Sequence, residues 1–72
     1  MMKKIYIHTD YIQLDQALKK EGIISTGGEI APYLEMHRVL LSGAPVREKR
    51  KKLRPGDVLS LDGDDYLIEQ EK

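Results

Sequence analysis

At 72 residues the chain makes a single domain, 1–72, and only about 60% of the unfolded surface can be buried at that size, so a deep enclosed active site is hard to build. It has no cysteine, which removes disulfide frameworks and thiolate metal sites and suits a cytoplasmic protein. Twelve basic side chains balance twelve acidic ones, so any attraction to a polyanion must come from how the charges are arranged.

The N-terminal "KKIYIHT" alternates Ile5 and Ile7 with polar neighbours, the period of a half-buried strand. No long apolar run follows its lysines, and the longest elsewhere is "VLL", so neither a signal peptide nor a membrane span is expected. "LDQALKKEG" sets Leu14, Ala17 and Leu18 on one helical face and stops at Gly22, a helix of about two turns.

"TGGE", residues 26–29, has the spacing of a capping box, with Thr26 accepting from the Glu29 amide and Glu29 reaching back. Gly27 and Gly28 are poor helix formers, and their use points to close approach of backbone. A phosphate at a helix start and a tight interhelical turn both fit that description, and Glu29 would repel the phosphate. The second helix carries Ile30, Tyr33 and Leu34 at helical spacing. Pro32 removes an amide inside it, so either the first turn is distorted or the regular helix starts later.

"RVLLSGAPV" alternates Val39 and Leu41 before a Ser42–Gly43 turn and reads as a hairpin. The basic run follows. "RPGD" is then a turn, "DVLSL" a strand, "DGDD" a hairpin turn and "YLIEQ" the final strand. The fold class is α+β: two short helices packed on a small, mainly antiparallel sheet of four or five short strands. The shared core is expected from Ile5, Leu14, Leu18, Ile30, Leu34, Val39, Leu41, Val58 and Ile68.

Charge is concentrated in the last third. Residues 47–54 hold six basic side chains and one acidic, and residues 55–72 hold one basic and six acidic. Lys and Arg in such a block neutralise phosphates and release counterions, which holds nucleic acid without choosing a sequence. A loop lets all of them reach outward, whereas a strand would turn alternate side chains to opposite faces. The plain alternatives are a solvated edge that discourages aggregation and neutralisation by the acidic end within the fold.

Enzyme chemistry has no starting point. His8 and His37 lie far apart without metal-ligand spacing, "DGDD" lacks the later Glu of a calcium loop, and Ser25 and Ser42 have no neighbouring base. No catalytic residue, metal, cofactor or small-molecule substrate is expected. Of the four tyrosines, Tyr33 and Tyr66 fall at apolar-periodic positions and are expected to be buried, leaving Tyr6 and Tyr11. With no Phe or Trp, recognition of a nucleic acid would rest on phosphates and shape more than on stacked bases.

Four stretches, "LDQALK", "TGGEIA", "VLLSG" and "KRKKLRPGD", stand in the order and spacing of the S4-type RNA-binding domain. The chain resembles that family over residues 11–69, and most closely its small stand-alone members of the YaaA/YbcJ type. The resemblance implies non-catalytic RNA binding by two short helices and the following hairpin, the αL motif. The chain departs from the pattern at Ala31, Ser42 and Glu48, where the family carries Lys, Asn and Arg, while Arg50 stands where Gly is usual.

The expected RNA surface joins Lys19 and Lys20, Thr26, Gly27 and Gly28, His37 and Arg38, the Ser42–Gly43 turn, and Lys49, Arg50, Lys51 and Lys52. Its partner would be structured RNA, ribosomal or transfer, or an assembling ribosomal particle, bound by a monomer away from membranes. The rival reading is a protein-interaction adaptor that uses the acidic C-terminal strand, with a small hydrolase a distant third.

Overall fold

The computed structural model describes residues 2–71. Strand β1 (Lys3–Ile7) leads through the two-residue β2 (Ile12–Gln13) into helix α1 (Leu14–Lys20). A 3-10 turn (Gly27–Glu29) precedes helix α2 (Ile30–Met36), and strands β3 (Val39–Leu41), β4 (Ala44–Pro45), β5 (Lys52–Leu53), β6 (Val58–Leu61) and β7 (Asp64–Gln70) complete the chain. The α+β reading holds: two short helices and a mainly antiparallel sheet.

The main sheet has the order β1-β7-β6-β3-β4, antiparallel except where β1 lies parallel to β7. A second sheet pairs β2 with β5, Ile12 opposite Leu53 and Gln13 opposite Lys52. Two hairpin turns keep the strands in register. Ser42 and Gly43 have φ of 48° and 87°, and Asp62 and Gly63 have 52° and 93°, the pair of left-handed residues that a two-residue type I′ turn requires.

Helix α1 buries Leu14, Ala17 and Leu18, which its period puts on one face. It ends in a Schellman motif: Gly22, at φ 76°, donates to Lys19 at 3.1 Å, and the Ile23 amide donates to Leu18 at 2.9 Å. The start of α2 differs from the expected capping box. Thr26 makes no side-chain cap bond, and the Glu29 carboxylate accepts instead from the Ser25 amide at 3.0 Å. Because regular helix begins at Ile30, Pro32 falls in the first turn, where an amide has no intrahelical acceptor to lose. The later start is therefore the answer to the Pro32 problem.

One hydrophobic core fills the space between the helices and one face of the sheet. Ile5, Leu14, Leu18, Ile30, Val39 and Ile68 are buried in it as expected, and Leu34 and Leu41 are half-buried against it. Val58 is a correction: β6 turns Leu59 and Leu61 inward, so Val58 lies on the outer phase with Ser60. Ile7, Ala17, Ile24, Val46, Leu53 and Tyr66 are further additions, and Leu53 is fully buried although it sits among lysines. Tyr66 is buried and Tyr33 half-buried.

Candidate nucleic-acid interface

The basic run begins as loop and ends as strand. Residues 47–51 are irregular, and β5 then turns Leu53 into the core, leaving Arg47, Lys49, Arg50, Lys52 and Arg54 exposed and Lys51 half-buried. The second half of the run is fixed by its backbone. The Lys51 carbonyl accepts the Leu14 amide at 2.8 Å, and β5 pairs with β2, so Lys51 and Lys52 are held beside the start of α1. Lys52 lies over the ring of Tyr11, 4.8 Å from its centroid, a cation–π contact that orients the ammonium.

Internal neutralisation is not what the structure displays. Among the described residues the contacts of basic side chains with carboxylates are the ion pair Lys4–Glu69 at 3.8 Å and the histidine contacts His8–Glu71 at 3.2 Å and His37–Asp62 at 2.5 Å, and none involves residues 47–54. The acidic end is engaged elsewhere: Asp65 accepts from the Ser60 hydroxyl at 2.5 Å, and Asp57 from the Arg54 amide at 2.9 Å. The Arg54 contact is to backbone, so its guanidinium is left out of it.

The other expected positions fall into four groups. Thr26, Gly27 and Gly28 are exposed and lie by the first turn of α1: a methyl added at Gly27 would meet the Asp15 carboxylate at 3.8 Å. At Gly28 it would meet only the Thr26 hydroxyl, at 3.9 Å. Both are ordinary contacts, so neither glycine is forced by packing. Lys19 and Lys20 are exposed at the opposite end of α1.

His37 and Arg38 follow α2 and meet the β6–β7 turn. His37 Nδ1–H donates to one Asp62 carboxylate oxygen, the Arg38 amide donates to the other at 2.8 Å, and the Asp62 amide donates to the Arg38 carbonyl at 2.9 Å. The His37 ring stacks on Tyr33 with centroids 4.1 Å apart. The Arg38 amide, then the His37 side chain, hold the Asp62 carboxyl below its ordinary pKa. Burial pushes the Tyr33 phenol up, with repulsion from Asp62 adding to it.

A groove of about 550 Å³ between α2 and the β3–β4 hairpin runs from Arg38 to Arg47, and a second of about 240 Å³ joins Ala31, Leu34 and Glu35 to Arg47 and Lys49. The structure thus sets Thr26–Gly28 and Lys51–Lys52 each against the start of α1, and links Arg38 to Lys49 through Arg47. Ser42 and Gly43 stand apart, at the far end of β3 from Arg38, where the Ser42 amide donates to Val58 at 2.7 Å. Arg47 was not among the expected positions, although it opens the same charge run. Asp62 reads from the sequence as part of a turn and of the acidic end, and nothing local in the sequence signals its bond to His37.

Among the described residues no group of three or more His, Asp or Glu could hold a metal ion, and no helix is long and apolar enough to cross a membrane. The S4 domain family model matches residues 5–69. A probable ribosome maturation protein, RlbA of Bacillus subtilis, is 36% identical over 63 residues, which is 88% of this chain and 89% of that protein. No solved structure matches the chain.

Proposed function

The chain belongs to the S4 domain family, and from that footing we propose that it is a non-catalytic module that binds structured RNA through its helices and basic run. One observation carries the reading: Arg47, Lys49, Arg50, Lys52 and Arg54 are exposed and make no ion pair among the described residues, on a run whose backbone is anchored to α1 at Lys51 and to β2 at Lys52–Leu53. Cations kept in place but uncompensated suit phosphates, which exchange condensed counterions for them. Lys19, Lys20 and Arg38 extend the attraction along the helices, and His37, held by Asp62, stands beside Arg38 as a hydrogen-bonding group. Backbone at Thr26, Gly27 and Gly28 supplies register, since contacts to phosphate and sugar position a protein without reading sequence. The Ser42–Gly43 turn would reach a separate part of the RNA.

The ribosome-maturation name of the relative supports ribosomal RNA or an assembling ribosomal particle, with transfer RNA the second choice, and hence action in the cytoplasm. The test is crosslinking to RNA in cells followed by sequencing of what is bound. Enrichment of defined ribosomal RNA segments is the expected result. RNA recovered no better than with an unrelated protein of the same size would remove the proposal.

A further inference from the structure

The helices cover one face of the five-stranded sheet. The other face bears one apolar residue from every strand: Tyr6 on β1, Leu67 on β7, Val58 on β6, Leu40 on β3 and Pro45 on β4. Pairing makes them neighbours. Leu67 is opposite Val58, and Leu40 is opposite Pro45. Tyr6 stands two residues beyond Lys4, the partner of Leu67, and Leu40 is opposite Ser60, two beyond Val58, so both are diagonal neighbours within side-chain reach. The result is a stripe from one sheet edge to the other, with Tyr6 44% exposed.

The solvated face of an antiparallel sheet ordinarily reads polar, so a stripe across five strands calls for a partner. Two depressions flank it. One, of about 460 Å³, is lined by Arg38, Leu40, Ser60, Asp62 and Gly63; the other, of about 350 Å³, by Pro55, Gly56 and residues 67–70.

Charge identifies the occupant. The outer phase of β7 and the turn before it present Asp62, Asp65, Glu69 and Glu71 against the cations of Lys4 and Arg38, with Glu69 already held by Lys4, Glu71 by His8 and Asp62 by His37. Phosphate would be repelled here. A second copy docked face to face would set these carboxylates against themselves, as a two-fold interface requires. We propose that the outer sheet face docks a basic protein, whose apolar side chains lie on the stripe and enter the depressions while its Lys and Arg meet the carboxylates. Most of this surface lies on the opposite side of the sheet from the helices, and only at the β3–β4 end do Arg38, Leu40 and Pro45 also border the groove beside α2; docking there does not depend on RNA being bound.

A photocrosslinking amino acid in place of Leu67, with one in place of Glu21 on the helical side as control, tests this in cells of the native host. After nuclease digestion, the Leu67 probe should give an adduct with an identified protein, crosslinked within a segment rich in Lys and Arg. Asp65→Lys with Glu69→Lys should reduce that adduct at least tenfold, and the milder Asp65→Asn with Glu69→Gln should reduce it in the same direction if the reversed pair does not fold. RNA titration of either variant should match the parent. An adduct only with RNA or with another copy of the chain, no adduct, or one that survives both variants would overturn the proposal.

Discussion

The amide of Leu14, the first residue of α1, donates to the carbonyl of Lys51 at 2.8 Å, so helix and basic run are joined through backbone. Two residues on, Leu53 is fully buried and paired with Ile12. Leu53→Ala should therefore cost about 2–5 kcal/mol, as large-to-small core changes do, and weaken RNA binding by freeing the charges. Lys51→Ala keeps the backbone bond and should barely move the melt. Thermal melts of the two variants, each beside an RNA titration, check both statements.

The outer phase of β6 predicts a contrast within two residues. Leu59 is fully buried and Val58 half-buried on the outer face. Leu59→Ala should cost about 2–5 kcal/mol and Val58→Ala well under that, because little cavity forms on an open face. Equal losses in chemical denaturation would contradict the phase.

Much of this was legible, and the misses have physical reasons. Helix α1, its Gly22 stop and both type I′ turns follow from local chemistry. In "VLSL" the polar Ser60 shares its phase with Val58, so the inward choice of Leu59 and Leu61 was present in the sequence, although four mostly apolar residues blur the alternation. Leu53 among lysines reads as loop, because its burial depends on pairing with a distant two-residue strand. The same holds for β1 beside β7 and for His37 with Asp62, contacts that no local pattern encodes. The candidate interface was half visible: the charge run was plain, but its tie to α1 and the separation of Ser42–Gly43 from Arg38 are tertiary facts.

Gly28 has room for a methyl group. Gly28→Ala should leave stability unchanged or raise it by up to about 1 kcal/mol, the usual effect of restricting the unfolded chain where the native backbone allows it. RNA affinity should fall if backbone at this turn approaches the ligand. A lowered melt would instead return the glycine to a packing role.

The Asp62 clasp predicts a pH dependence. Its folded pKa lies below the ordinary value, so the stability it contributes is fully present above the unfolded pKa, about 3.9, and is lost as pH falls through the folded value. Asp62→Asn tolerates the left-handed turn equally well and removes the charge. The melting difference between parent and variant should be present at about pH 5 and close below about pH 4. A difference that grows as pH falls below about 5 would contradict the assignment.

The central claim is that the basic run faces RNA phosphate and not the acidic end of its own chain. Labelled ribosomal RNA is titrated at several salt concentrations with the parent and with a variant carrying Lys49→Ala, Arg50→Ala, Lys51→Ala and Lys52→Ala. Each phosphate contact contributes about 0.7–0.9 to the slope of log affinity against log salt, so the slope should flatten by roughly 3. The melt should fall only by the Lys52–Tyr11 contact, about 0.5–1 kcal/mol. An unchanged slope with a strongly lowered melt would mean that these charges hold the protein together and do not bind RNA.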